Sequence, residues 1–358
     1  MKKLIALCLL VCLLGCQSKP KEKEPEEPYV KNTERYRYTF ESMPISEELT
    51  ELLNGNHFIW FYKAYNGKLL LEQRDDTVLD QVGRTKALYE YDLNTQELKN
   101  LTLPGDNIKI RDAIYYQDQY IYIVQYKGEH LTKIIAENQN QEKTILFEET
   151  GIPSIMGQSA FEIAEDGLYY CFHQELDNQR YTKYQRITPK LEVEPLWEEK
   201  NDSGKVITLI KLSKNAALMM KDGTYIYLKD GKELVINSES DRKFTCLLSD
   251  YLIFDEAQYF DLATKEWKSL ADTTLPNLSK SSYIDNNTVL YVDDSKEVHA
   301  SYFVDGSIED EKIGEITGGS GLNYYWINDQ GILAIHSYTK GTDNILAFYL
   351  IHREAIEQ

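Results

Sequence analysis

Few residues in this chain stand at spacings that support chemistry. The six histidines, His57, His130, His173, His299, His336 and His352, are scattered. None belongs to a His-x-His or His-Glu-x-x-His pattern, the spacings that bring two imidazoles to one metal. Each reads singly as an edge or half-buried strand residue. No Gly-x-Ser-x-Gly elbow is present to expose a nucleophilic serine, and Gly318-Gly319-Ser320-Gly321 has the wrong spacing for one. No phosphate-cradling loop or dinucleotide glycine fingerprint follows a strand pattern. The acidic clusters Asp293-Asp294 and Asp305 to Glu311 lack the spacing of a calcium loop and read as solvated turns. Paired carboxylates for glycoside hydrolysis must lie about 5–9.5 Å apart, and 58 acidic residues offer too many pairs for the sequence to choose one. No catalytic, cofactor-binding or metal-binding residue is therefore assigned, and no cofactor is expected.

The clearest chemical signal is at the start. Residues 1–16 read MKKLIALCLLVCLLGC. Lys2 and Lys3 precede an apolar run from Leu4 to Leu14, which is too short to span a bilayer but suits a secretory signal. Gly15 then precedes Cys16. This segment resembles the signal peptide of bacterial lipoproteins, with Leu13-Leu14-Gly15-Cys16 as the lipobox. The resemblance implies cleavage after Gly15 and a diacylglycerol on the Cys16 thiol. Acyl chains bury about 0.8 kcal/mol per CH₂, so two or three of them hold a protein at a membrane. The expected location is the extracytoplasmic face of a cell membrane. The other mature cysteines, Cys171 and Cys246, lie in apolar strand contexts of different units and read as buried free thiols.

Residues 16–34 comprise that cysteine and a spacer, QSKPKEKEPEEPYVKNTE, too polar and proline-rich to bury a core. The chain carries 39 basic and 58 acidic residues, a formal charge of −19, which falls to −21 without Lys2 and Lys3. Such an excess repels nucleic-acid phosphates and anionic lipid surfaces alike. No nucleic-acid partner is expected. The only membrane contact expected is the lipid.

From residue 35 onward the sequence predicts an all-β domain. Short runs rich in Tyr, Ile, Leu, Val and Phe alternate with polar residues. Turn dipeptides separate them, among them Asp166-Gly167, Asp222-Gly223, Asp230-Gly231, Asn286-Asn287 and Asp305-Gly306. The one helical pattern is Ser46–Leu53, with Ser46 as cap and Glu47 and Glu48 in the first turn. Strands beginning near Phe58, Tyr120, Leu168, Ala216, Tyr251, Thr288 and Ile332 recur at 62, 48, 48, 35, 37 and 44 residues. A period of about 40–50 residues with four strands per unit is the signature of a β-propeller. The last unit has only three strands, and Arg35–Met43 supplies the fourth, closing the ring. The segments Leu88–Thr95 and Tyr259–Trp267 resemble the "YDL-x-T" hairpins of secreted β-propellers, in which an Asp and a Thr stabilise the turn. The expectation is seven four-stranded blades over residues 35–358.

In such a ring the tight turns join first and second strands. The longer segments, Tyr65–Arg84, Thr150–Gln158, Gln174–Arg180, Ala271–Lys280 and Tyr338–Asn344, then gather on the opposite face. Within them Arg74, Arg84 and Arg180 are cations in an acidic protein, and Tyr65 and Tyr338 are stacking residues. These five are the expected ligand-binding set. Replacing Arg74 and Arg84 together is expected to weaken partner retention without altering folding. The leading function is a non-enzymatic binding module for a protein or cell-envelope glycan. The competing one is a carbohydrate-active lyase or hydrolase with its site at the propeller axis.

Overall fold

Alternating apolar and polar residues give 28 strands and a single α-helix among the described residues. The computed structural model describes residues 35–356 except 56–57, 75–84, 127–130, 154–159, 177–178, 202–206, 214, 230–231, 238–242, 249, 256–257, 271–282, 286, 305, 318–321, 329–330 and 341–342. Cys16, Arg84 and the segment 1–34 lie outside the described residues. Within them no helix is long and apolar enough to cross a membrane.

Strands pair antiparallel with their sequence neighbours. β1 (Tyr36–Met43) precedes α1 (Glu47–Asn54). The Ser46 hydroxyl accepts from Leu49 N at 3.3 Å, and Glu47 and Glu48 occupy the first turn, as the sequence predicts. The first sheet holds β2 (Phe58–Tyr65), β3 (Lys68–Arg74), β4 (Thr85–Asp92) and β5 (Leu98–Leu101). Then come β6 (Ile108–Tyr116), β7 (Gln119–Tyr126), β8 (Leu131–Asn138), β9 (Lys143–Pro153), β10 (Glu162–Ala164), β11 (Gly167–Leu176), β12 (Gln179–Ile187) and β13 (Val193–Asn201). Three further sheets hold β14 (Thr208–Ser213) to β17 (Lys232–Ile236), β18 (Phe244–Leu248) to β21 (Glu266–Ser269), and β22 (Tyr283–Asp285) to β25 (Ser307–Glu315). Between their ends run β15 (Ala216–Lys221), β16 (Thr224–Lys229), β19 (Tyr251–Phe254), β20 (Gln258–Asp261), β23 (Thr288–Val292) and β24 (Glu297–Val304). The last sheet holds β26 (Asn323–Asn328), β27 (Gly331–Lys340), β28 (Asp343–Ala355) and, outermost, β1.

The architecture is an all-β propeller, but the expected seven separate blades are not what forms. Five four-stranded sheets stand apart, and β6 to β13 make one eight-stranded sheet. The cause is the length of β9. Its final residues Gly151–Pro153 run past β8 and pair with Gln174–Phe172 of β11. The first repeat was also set one strand too early. The strand matching β7, β11 and β15 is β3, not the Phe58 strand, so the expected long segment Tyr65–Arg84 contains β3 and a tight Asn66-Gly67 turn.

Core clusters fall between successive sheets. Tyr62, Leu88, Ile110 and Tyr122 pack the first sheet on the eight-stranded one. Leu69, Tyr91, Leu333 and Phe348 pack the first sheet on the last, and Tyr38, Leu290 and Ile332 pack the last on β22–β25. Cys171 and Cys246 are buried free thiols, and burial pushes the Cys246 thiol up to about 12. Seven tyrosines, including Tyr62, Tyr91 and Tyr170, are less than 2% exposed. The chain's 27 tyrosines therefore fill seams between sheets to a large extent.

The ring closes as the sequence predicts. β1 pairs with β28 from Tyr36 opposite Ala355 to Met43 opposite Phe348. A buried carboxylate locks this pair to the preceding sheet. Asp285 of β22 accepts from Tyr38 of β1 at 2.8 Å and from Arg353 of β28 at 2.7 Å. Arg353 also lies 4.3 Å from the Tyr36 ring centroid. A Cβ at Gly314 of β25 would sit 2.4 Å from the Phe40 ring, so the lack of a side chain there lets β1 seat.

The two "YDL-x-T" hairpins have the same construction. Asp92 Oδ1 accepts from Asn94 N and Thr95 N at 2.9 and 3.0 Å. Asp261 Oδ1 accepts from Ala263 N and Thr264 N at 2.9 and 3.1 Å. Lys68 and Lys268 hold the second oxygens. Burial opposes ionisation of Asp261, but Lys268 and the two backbone donors outweigh it, so its carboxyl lies below the ordinary range.

Two outcomes follow for stability. Asp285→Ala leaves the buried Arg353 charge without its carboxylate and should cost about 3–5 kcal/mol, whereas Tyr38→Phe should cost about 1 kcal/mol, both read from urea unfolding midpoints. The folded Asp261 carboxyl is depressed, so its stabilisation is complete above the unfolded value and is lost as pH falls through the folded one. Asp261→Asn should therefore flatten the acid limb of a stability-against-pH curve below about pH 4 and lower the plateau at neutral pH.

Candidate functional site

Antiparallel order sorts the hairpins onto two faces. First-to-second and third-to-fourth turns lie on one face. Second-to-third turns and the connections between sheets lie on the other, the connection face. Asp166-Gly167 does join first and second strands, and Asn286 lies outside the described residues. Asp222-Gly223 instead joins β15 to β16, second to third, while Asp230, Gly231 and Asp305 lie outside the described residues. The expected rule for tight turns is corrected accordingly.

Register shifts recur in the innermost strands β2, β6, β14, β18 and β26. Bulges re-aim side chains. In β6 the extra residue is Arg111, between Ile110 and Asp112. The Asp112 carboxylate is fully buried and accepts from Ala160 N and Phe161 N at 2.7 and 2.8 Å, pinning a connection onto the strand. Ile108, Ile110 and Asp112 are buried while Lys109 and Arg111 are half-buried, so both cations emerge on the same side. They sit in the half of β6 next to the connection face.

Arg74 reaches the same region from the end of β3. Its guanidinium lies 4.4 Å from the Trp60 ring centroid and donates from Nε to Glu72 at 2.7 Å. Glu72 is fully buried. It also accepts from the Tyr62 hydroxyl at 2.5 Å and from the Thr85 hydroxyl. Thr85 Oγ1 in turn accepts from Ile110 N at 3.1 Å. One carboxylate thus ties β2, β3 and β4 to β6, and positions Arg74 over Trp60. Burial and the Glu72 charge together push the Tyr62 hydroxyl well above its ordinary range.

Electrostatically the cluster is cation-rich. Burial first, then Arg111 and Arg74, hold the Lys109 ammonium below its usual range. Burial first, then Arg74, does the same to Arg111. Arg111 donates from Nε to Gln125 at 2.7 Å, a neutral acceptor. Among the described residues neither Lys109 nor Arg111 is ion-paired to a carboxylate. Unlike Arg74, they keep their charge available to an incoming anion, which would relieve their mutual repulsion.

The five residues expected from sequence separate. Arg74 and Arg180 lie at strand ends of the connection face, and Tyr338 is on β27 near the turn to β28. Tyr65 lies at the end of β2 on the opposite face and packs on Tyr116 at 5.8 Å. Arg84 falls outside the described residues. Arg180 is exposed at the start of β12, where its charge, after burial, lowers the basicity of His173. Trp60, Lys109 and Arg111 escaped the sequence reading because they sit within strands. The only trace of them is a Lys-x-Arg step that places two cations on one side of an otherwise apolar strand.

No family model matches the chain, and no curated protein matches its sequence. Solved structures with a similar course include an oligogalacturonate lyase in complex with manganese, at TM-score 0.49 and 11% identity over 89% of this chain and 97% of that one. The oligogalacturonate lyase from Vibrio parahaemolyticus gives TM-score 0.47 and 11% identity, covering 89% and 98%. Porphyromonas gingivalis dipeptidyl peptidase 4 gives 0.43 and 11%, covering 68% and 41%. Similarity at this level carries nothing about activity or ligand.

Glu72 makes the cluster part of the fold. Arg74→Ala would leave the buried Glu72 carboxylate without its cation, so this substitution is expected to cost stability as well as partner retention. Glu72→Ala should lower unfolding stability by about 3–5 kcal/mol, measured by urea denaturation.

Proposed function

We propose that the chain is a lipid-anchored extracytoplasmic binding module whose connection face takes an anionic ligand of the cell envelope, a polymer or an acidic protein surface. The observation that carries this reading is the Trp60, Arg74, Lys109 and Arg111 cluster in a chain of net charge −19. Non-specific repulsion by the rest of the surface makes such a cluster selective, because only an anion that reaches these groups gains from them. Trp60, already covered on one side by Arg74, adds an apolar wall against which a sugar ring or a peptide can rest. The lipid on Cys16 and the spacer 17–34 belong to this proposal. They would hold the module at the membrane while its charge keeps the body off an anionic surface.

The test is co-sedimentation of the full chain, in detergent, with isolated cell-wall polymer at two salt concentrations. Retention should fall as salt rises. Lys109→Ala with Arg111→Ala should lower it about tenfold or more, since two charge-assisted contacts are lost, with an unchanged unfolding midpoint. Retention by the double variant equal to that of the parent would remove the cluster from the binding face.

A further inference from the structure

The β23–β24 hairpin carries a different group. Asp293 follows β23, and Glu297 and His299 are the first and third residues of β24. The hairpin is tied by Asp293 itself, whose Oδ1 accepts from Glu297 N at 2.8 Å and whose backbone N donates to Glu297 O at 3.0 Å. Those bonds leave Asp293 Oδ2 turned toward the imidazole, 3.6 Å from His299 Nε2. Glu297 Oε1 is held by Lys312 at 2.6 Å, and its other oxygen, Oε2, lies 3.7 Å from the same nitrogen. Asp293, Glu297 and His299 each present one ligand atom, and these atoms lie within 4.8 Å of one another.

The imidazole is fixed from behind. Its Nδ1 is 2.7 Å from Asp310 Oδ2, and the other Asp310 oxygen accepts from Tyr291 at 3.1 Å and from Ser301. The Tyr291 ring stacks on the imidazole at 5.1 Å and 18°. Asp310 therefore orients the ring and offers an acceptor for a proton on Nδ1. The opposite nitrogen, Nε2, is buried and has no hydrogen-bond partner among the described residues. A lone pair in that place faces two carboxylate oxygens at distances too long for hydrogen bonds. Such an arrangement is repulsive unless a metal cation or a proton lies among the three atoms.

We propose that Asp293 Oδ2, Glu297 Oε2 and His299 Nε2 form a site for a divalent transition-metal cation, with zinc the preferred ion. Ligands about 2.0–2.1 Å from a tetrahedral zinc stand roughly 3.3 Å apart, so the histidine edges of 3.6 and 3.7 Å need contract only by a few tenths of an ångström, while the two carboxylate oxygens, within 4.8 Å of each other, draw together around the ion. The imidazole selects against calcium and magnesium, which take oxygen ligands. The Asp310–His299 pair is the carboxylate–histidine support that metal-bound imidazoles use. The competing occupant is a proton on Nε2, which would make His299 a cation shared by three carboxylates.

Equilibrium dialysis separates the two. The full chain, purified in detergent without a polyhistidine tag and stripped by chelator, is dialysed against Zn²⁺, and bound metal is counted by elemental mass spectrometry. One zinc per chain is expected. His299→Gln and Glu297→Gln should abolish stoichiometric retention, and Asp310→Asn should weaken it about 10–100-fold. His352→Ala, which removes an exposed imidazole paired with Glu41, should leave it unchanged. Circular dichroism on each variant checks that the strands persist. Failure of the parent chain to retain stoichiometric zinc, or equal retention by His299→Gln with its strands intact, would overturn the site and leave the protonated imidazole.

Discussion

The buried contact among Asp285, Tyr38 and Arg353 is what makes a ring of this chain. Consecutive sheets are joined by continuous backbone, but the last sheet takes its outermost strand, β1, from the other end of the described chain. The boundary between β22–β25 and the last sheet also involves β1, a strand some 240 residues away in sequence. Loop-closure entropy opposes bringing such a strand home, and apolar packing alone does not fix its register, because a slip of two residues returns the same face. A single carboxylate that must meet one tyrosine and one arginine does fix it. A displaced β1 would leave the Asp285 carboxylate, still paired with Arg353 of β28, without the Tyr38 hydroxyl in a buried seam, a penalty beyond the lost apolar contact.

The same device recurs elsewhere on a smaller scale. Glu72 ties three strands of the first sheet to β6, and Asp112 fastens the backbone at Ala160 and Phe161. These carboxylates sit at seams, each fully or almost fully buried and each satisfied by several donors. They account for part of an acidic excess that otherwise reads as surface. They also explain why the cationic cluster lies where it does, since Arg74 is drawn to Glu72 and brings its charge beside Lys109 and Arg111.

Much of the fold was legible. Alternation and turn chemistry located most strands, the Ser46 helix and both Asp-centred hairpins. The three-strand final unit foretold the pairing of β1 with β28. The first repeat was misplaced because Phe58–Tyr65 is as apolar as a second strand, while KLLLEQR, with its buried Glu72, looks half-exposed. The count of separate blades failed on Gly151–Pro153, whose pairing to β11 depends on contacts distant in sequence. The site was hidden for a related reason. Arg74 was visible as an isolated cation, but a bulge such as that at Arg111 has no sequence mark, and the approach of Trp60, Lys109 and Arg111 is a property of neighbouring sheets. Asp293 reads from sequence as a solvated turn, His299 as a strand residue, and Glu297 draws no notice, since the lack of a partner at Nε2 emerges only when Asp310 is seen behind the ring.

The pairing of β1 with β28 has a topological consequence. Ile356 N donates to Arg35 O at 2.9 Å, so the first and last described residues are hydrogen-bonded neighbours. The ring then has no obligatory starting point. A chain spliced from residue 356 to residue 35 and cut open in another hairpin would keep this sheet's ladder intact. The ladder's register is thus independent of which hairpin is opened to make the two ends.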